Sequence, residues 1–354
     1  MQLKYKPDFD EAKRHWEAFW AGEIIDRPCI RVVAPKDGVK ELPPLASVHD
    51  PRKGLLSYVD DYEEYAHCIY FGGDAVPFFY PNFGPDIFSA FIGAELEGFD
   101  SGTNTTWARP FVRDWKAEAH KFNAAGGKWW DQTISFLNQA REAAEGKFAV
   151  GVLDIHSNMD CLAAIRGQQE LCLDLIDCPD DVEAAMLAVR KLYGPIFNSL
   201  YQAAGQEETG CLTWLPFYCD GKFAAIQCDF ICIISPEHFR RYVMPALEEE
   251  AEFLDHCCYH LDGPDALVHL DDLLSIEAID AIQWIPGAGA MPHIEWMDLL
   301  KKIQDANKSL YIGASVDQVP IYQKHLRPEK IFYDVWAPSQ AEADALLDRL
   351  KVDT

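Results

Sequence analysis

Apolar runs of strand length alternate along this chain with longer stretches whose apolar residues recur at helical spacing, the pattern of a β/α protein built on a parallel sheet. The strand-like runs are CIRVV, VPFFY, FAVGVLDI, LTWLPF, AIQCDFICI, CYHLD, AIQWIP, LYIGAS and IFYDVW. Nine runs in 354 residues predict a single (β/α)8 TIM barrel with one extra piece rather than two small domains. The intervening helices are well marked. SPEHFRRYVMPALEEEAEFL opens with Ser235 as N-cap and Pro236 at the first helical position, and SQAEADALLDRL opens with Ser339 and Glu342 at capping-box spacing. No Ser/Gly-rich linker, low-complexity tract or short repeat divides the chain, so residues 1–354 are read as one domain. The stretch from about Ala75 to Lys128, rich in Gly, Pro, Asn and aromatic residues, is expected to be an irregular N-terminal excursion. Its two readings are a lid or substrate loop over one mouth of the barrel and an ordinary surface insertion.

Composition narrows the partners. With 49% hydrophobic and 12% aromatic residues the chain has ample material for a packed core, yet no stretch reaches the roughly 18 uninterrupted apolar residues of a membrane helix. Lys and Arg number 31 against 57 Asp and Glu, a net charge of −26 that repels nucleic acid and anionic lipid. The 11 cysteines include no CxxC pair and read as free thiols in a reducing compartment. The opening MQLKYKPDFDEAKRHWEAFWAGEIIDRP has no continuous apolar region of the secretory kind, so a cytoplasmic location is expected.

In a β/α barrel the reactive side chains gather where strands end and βα loops begin. That rule selects Asp154 and His156 at the end of FAVGVLDIHSN, Asp229 between the apolar neighbours of AIQCDFICI, and Asp334 and Trp336 on the last strand. It also selects Trp284 before the Gly-rich turn of AIQWIPGAG, and Tyr80 at the end of VPFFY. In CCYHLDGP, Cys258, His260 and Asp262 fall at i, i+2 and i+4 and share one face of a strand. Thiolate, imidazole and carboxylate are ligand types that zinc accepts, and a catalytic site needs three with one position open. The expected metal set is therefore His260 and Asp262, completed by Cys258, Asp334 or Asp229. Asp229, His156 and Asp154 are the acid–base candidates, and apolar surroundings would raise the pKa of Asp229 and suit it to act as a general acid. Trp284, Trp336 and Tyr80 are candidates for substrate contact. Each has a plainer alternative: His260 and Asp262 as a hydrogen-bonded structural pair, Asp154 and His156 as orienting or helix-capping groups, and the tryptophans as core.

The runs AIQCDFICIISPEHFRRYVMPALEEEAEFL, YHLDGP, AIQWIPGAG and LYIGASVD, with GKFAVGVLDIHSNMDCLAAIRGQQELCLDLIDCPDDVEAAM before them, resemble the uroporphyrinogen decarboxylase superfamily over roughly residues 145 to 350. The most specific element runs from Asp229 to Phe239. The resemblance implies a (β/α)8 barrel with a deep site at its C-terminal mouth, and the superfamily includes zinc-dependent methyltransferases that move methyl groups from a corrinoid to a thiol. The arginine-rich N-terminal motif that clamps propionates in the decarboxylases is missing; RPCIRVVAPKDG stands nearest to it. At the paired His-x-Cys of the methyltransferase branch this chain carries His260 and Asp262, and Asp334 stands where a second cysteine is expected. What the resemblance implies is thus a corrinoid-linked methyltransferase with an altered site that binds zinc or another divalent metal, with a small-molecule substrate and a corrinoid protein as partner. The alternatives are a decarboxylase acting on a tetrapyrrole-like or smaller carboxylate, and a barrel that only binds a corrinoid or small ligand.

Overall fold

The computed structural model describes residues 2–101, 104–118 and 125–351. Its strands, numbered in chain order, are β1 (Cys29–Pro35), β2 (Ile69–Gly73), β3 (Phe78–Phe79), β4 (Glu95–Glu97), β5 (Trp107–Arg109), β6 (Ala149–Val150), β7 (Phe223–Gln227), β8 (His256–Asp262), β9 (Ala281–Ile285), β10 (Ser309–Ala314) and β11 (Ile331–Trp336). Seven of them form one sheet in the order β2-β1-β11-β10-β9-β8-β7, parallel throughout except for the antiparallel edge strand β2. β3 and β6 pair in parallel as a separate two-stranded sheet, and β4 with β5 make a small antiparallel hairpin. The protein is thus a mixed α/β structure around a parallel sheet.

The expected closed eight-stranded barrel is not completed by backbone ladders among the described residues. Pro77 and Pro81 flank β3 and limit it to two residues, because proline donates no amide hydrogen to a ladder. LTWLPF, expected as a strand, forms none: Cys211 and Cys219 on either side of it make an isolated bridge, and its Leu212 carbonyl accepts the Val152 amide at 2.8 Å. The β2 edge strand was not anticipated: IYFGG reads as the tail of the preceding helix Leu56–Cys68.

Helices cover the sheet, so strands such as β8 are buried on both faces: Cys257, Cys258, Tyr259 and Leu261 are all fully buried. The capping signals act as expected, with Ser235 Oγ accepting from the His238 amide at 3.2 Å and Ser339 Oγ accepting from the Glu342 amide at 3.3 Å. The helix begun at Pro236 passes through a π turn at Phe239–Val243 before its last stretch Met244–Phe253, where Pro245 removes an α-helical donor. Helix Phe9–Ala21 docks Trp16 onto Phe332 and Phe217, with ring centroids 4.6 and 5.9 Å away, and seals the end of the sheet where the parallel strands start. The strand C-termini are left for chemistry.

Gly73, at the end of β2, has φ +61°, and a Cβ there would stand 2.4 Å from the carbonyl oxygen of Ile30. That oxygen already accepts the Asp74 amide at 2.7 Å and cannot retreat without breaking the turn. Gly73→Ala is expected to destabilise the fold by about 2–3 kcal/mol, from the left-handed backbone and the clash together. Urea midpoints of the two proteins measure it, and a shift under 1 kcal/mol would contradict the rigidity assigned to this turn.

Candidate functional site

After β6 the chain runs to Ser157 and then turns into helix Asn158–Arg166. The junction needs a left-handed residue, and Asn158 takes φ +50°, which asparagine tolerates better than most side chains. Buried Glu250 pins the turn from below: Ser157 Oγ donates to it in a short bond, and Asn158 Nδ2 donates to it at 3.2 Å and to the Gln227 carbonyl at 3.1 Å. This fixes the direction in which Asp154, His156 and Asp160 leave the backbone.

Asp160 lies in the first turn of that helix, and its carboxylate accepts the backbone amides of Asp229 at 2.8 Å and Phe230 at 2.9 Å. It therefore holds the 3-10 turn Asp229–Ile233 that follows β7, and sets Asp229 beside His156. His156 Nε2 lies 2.9 Å from Asp154 Oδ2, and its Nδ1 faces Asp160 Oδ2 at 3.7 Å. The Gln227 amide lies against the same Nε2. One ligand atom each from His156, Asp160 and Asp229 falls within 4.8 Å of the others. Asp86 joins them along a cleft of about 270 Å³ that Ala164 and Phe230 also line.

Burial of the His156 ring works against protonation, but Asp154, hydrogen-bonded to it, and Asp160 and Asp229 nearby outweigh that and push its pKa to about 10. The Asp160 carboxyl is raised by burial, against the pull of His156 and with Asp229 adding to it. Asp86 is raised by burial, partly offset by its bond from the Ala108 amide and by His156. Three or four carboxylates around one imidazole form a strongly negative pocket, and a cation is the natural complement.

The sequence candidates fall into separate places. His156, Asp154 and Asp229 come together, and Tyr80 touches them, its hydroxyl accepting the Asp154 amide at 3.3 Å. Asp229 is exposed in a 3-10 turn and not enclosed by apolar neighbours in a strand, so the burial expected of it is absent. His260, Asp262, Cys258 and Asp334 do not form a three-ligand group among the described residues. His260 Nδ1 is 2.5 Å from Gln283 Oε1, with Trp214 set edge-on to the ring, and Asp334 is bound by Arg31 at 2.5 Å and by the Tyr311 hydroxyl at 2.7 Å. Two strands separate β8 from β11 in the sheet. Burial, with Cys257 alongside, raises the Cys258 thiol well above its ordinary pKa. Trp284 is 1% exposed and packs on Trp296, whereas Trp336 is 47% exposed. Asp160, Asp86 and Glu250 were not singled out in the sequence. The one signal for Asp160 is its spacing of four from His156 across a strand-to-helix junction.

Glu250 carries its own prediction. Burial raises its pKa to about 7 against the opposing bonds from Ser157 and Asn158. A carboxyl whose folded pKa exceeds its unfolded value contributes stability that is fully present below about pH 4.5 and is lost as pH rises through about 7. Glu250→Gln should therefore stabilise the protein by about 2–3 kcal/mol at pH 8 and leave it nearly unchanged at pH 4.5. Urea titrations at the two pH values test this; an equal effect at both would show that the carboxyl does not titrate there.

No family model matches this chain, and no curated protein matches it. Among solved structures, a methyltransferase from Methanosarcina mazei is similar in fold, with a TM-score of 0.61 over 98% of this chain and 98% of that one at 12% sequence identity. No helix among the described residues is long and apolar enough to cross a membrane. The chain thus has a methyltransferase-like fold, with its cluster of ionisable groups at the C-terminal side of the parallel strands.

Proposed function

We propose that this protein is a divalent-metal-dependent enzyme that transfers a methyl group to or from a small substrate, with a corrinoid protein as methyl carrier, on a methyltransferase-like α/β fold with a metal centre at His156, Asp160 and Asp229. One observation carries the reading: Asp154 engages one nitrogen of His156 while the other faces Asp160, and Asp229 lies in the same group of three possible ligands. A carboxylate that bonds the far ring nitrogen fixes the tautomer and aims the remaining lone pair, the arrangement that supports histidine ligands. The ligand atoms lie close enough to contract around a common ion at about 2.0–2.2 Å, and an imidazole with two carboxylates suits zinc or a harder divalent ion. Such an ion would act as a Lewis acid on a substrate oxygen.

The chain's own residues supply the rest. Asp154 holds the His156 ring, Asp160 sets the turn that carries Asp229, and Asp86 lines the same cleft. About 270 Å³ is near the small end of ligand pockets, roughly 300–1,000 Å³. That room suits a small substrate and not a tetrapyrrole, so a corrinoid would approach on its carrier, and tetrapyrrole decarboxylation ranks lower. The convergence of the cluster favours an enzyme over a barrel that only binds a ligand. A second reading rests on His156 itself: with a pKa near 10 the ring carries a proton at neutral pH, as a general acid needs when it quenches the carbanion left by decarboxylation of a small acid.

Metal analysis of protein expressed with zinc, manganese and cobalt supplied separates the two. The proposal expects close to one divalent ion per chain, removed by chelator. Metal-free protein from all three cultures would remove the metal centre and leave the acid–base reading.

A further inference from the structure

A second pocket, of about 210 Å³, opens on the other side of the segment that carries Tyr80. Its walls come from helix Leu56–Cys68, from β3 and the residues after it, and from the loop ending at His49. On the helix, Tyr58, Asp61 and Tyr62 stand at i, i+3 and i+4 and so share a face. The His49 imidazole stacks on Phe79 with centroids 5.1 Å apart and lies 4.5 Å from Tyr58, while Tyr62 meets Phe79 edge-on at 5.9 Å. Tyr80 also lines the pocket, and its hydroxyl accepts the backbone amide of Asp154, whose carboxylate binds His156.

The charges of this pocket are one-sided. Among the described residues no Lys or Arg lines it, and Asp61 is exposed with no basic side chain paired to it. His49 adds no charge, since burial lowers its pKa to about 4 and its Nδ1 accepts the Asn82 amide at 3.2 Å. Tyr62 does feel Arg31, but that guanidinium is engaged by Asp334. Aromatic side chains beside a carboxylate with no basic partner, in a chain of net charge −26, disfavour anions and suit cations that carry an apolar shell. A cavity of about 150 Å³ holds benzene, so 210 Å³ has room for a trimethylammonium head.

We infer that the pocket of Tyr58, Asp61, Tyr62, Phe79 and Tyr80 is a recognition subsite for a methylated ammonium group. The binding claim stands on this lining alone. Its meaning as the place where a methylated-amine substrate is held next to the reacting centre rests on the function proposed above.

Choline and its uncharged isostere 3,3-dimethylbutan-1-ol are the probes, titrated by calorimetry into the full chain with and without chelator. Choline is expected to bind saturably and at least 10-fold tighter than the isostere, about 1.4 kcal/mol. Asp61→Asn should weaken choline about 3- to 10-fold and Tyr58→Leu about 10-fold, with Tyr58→Phe close to wild type and each variant checked for an unchanged circular dichroism spectrum. Equal affinity for the isostere would show an apolar pocket without cation selectivity, and overturns the inference. So would absence of saturable choline binding, or choline binding indifferent to both Asp61→Asn and Tyr58→Leu. Chelator should leave choline affinity unchanged, so failure of the metal analysis removes the metal centre and leaves the subsite standing, whereas failure of choline binding removes the subsite alone.

Discussion

Asp160→Ala and His156→Ala should each lower the affinity for Zn²⁺ or Mn²⁺ by ~10³-fold, about 4 kcal/mol at 1.4 kcal/mol per decade. The geometry sets the order of effects. His156 and Asp160 each offer an atom to a set of three, so removing either leaves two ligands and no defined site. Asp160 would do more than ligate, because it also binds the amides of Asp229 and Phe230; its loss frees the turn that carries the proposed third ligand. Asp154→Asn should cost less, about 10- to 100-fold, since it disturbs only the partner that orients the imidazole. His260→Ala and Asp262→Ala should leave metal affinity within about threefold, a difference under 1 kcal/mol. Competition against a chromophoric chelator measures all five variants, with urea midpoints confirming that each is folded. If the last pair lose the metal and the first pair keep it, the centre lies at the end of β8 and this assignment is wrong.

That comparison also marks what the sequence could tell. The mainly apolar strands β1 and β8 to β11 are legible because short apolar runs between turn signals suit a parallel sheet buried on both faces, whereas only the first three residues of AIQCDFICI lie in β7 and Asp229–Ile233 form a 3-10 turn; the caps at Ser235 and Ser339 are local chemistry that tertiary context does not override. β2 was hidden because IYFGG continues a helix without a break, and LTWLPF looked like a strand although Pro216 withholds a donor. At the site, Asp154, His156 and Asp229 were visible as polar residues where strands end. Asp160 was not, since its place depends on a left-handed turn at Asn158 and on a bond to a loop about 70 residues downstream, neither of which leaves a periodic trace. The i, i+2, i+4 spacing of Cys258, His260 and Asp262 in CCYHLDGP points to β8. There the neighbouring strand answers instead: Gln283, in register with His260, takes up its Nδ1.

Asp74→Ala should destabilise the fold by about 3–5 kcal/mol while the variant's metal affinity, measured on its folded fraction, stays at the wild-type value. Asp74 is fully buried at the sheet end opposite the candidate site. Its carboxylate accepts from Arg27 Nη1 at 2.5 Å and Nη2 at 2.8 Å and from the Ile30 amide at 2.9 Å, and His15 Nδ1 lies 2.9 Å away. Burial raises the cost of the charge, but Arg27 and His15 hold the carboxyl below its ordinary pKa. A depressed carboxylate contributes stability that is present above about pH 4 and is lost as pH falls through its folded value, so the group acts in full at neutral pH. Deletion to alanine strands a guanidinium that is 8% exposed, and the uncompensated charge dominates the cost. The double variant Arg27→Met with Asp74→Leu removes both charges and should recover most of the loss, because apolar residues of similar volume replace a buried pair at little net cost. Urea midpoints at pH 7 decide between the possibilities. A loss under 1 kcal/mol in Asp74→Ala would mean that water reaches Arg27; a double variant as unstable as the single would mean that the hydrogen bond to the Ile30 amide, and not the charge pair, holds this end of the sheet.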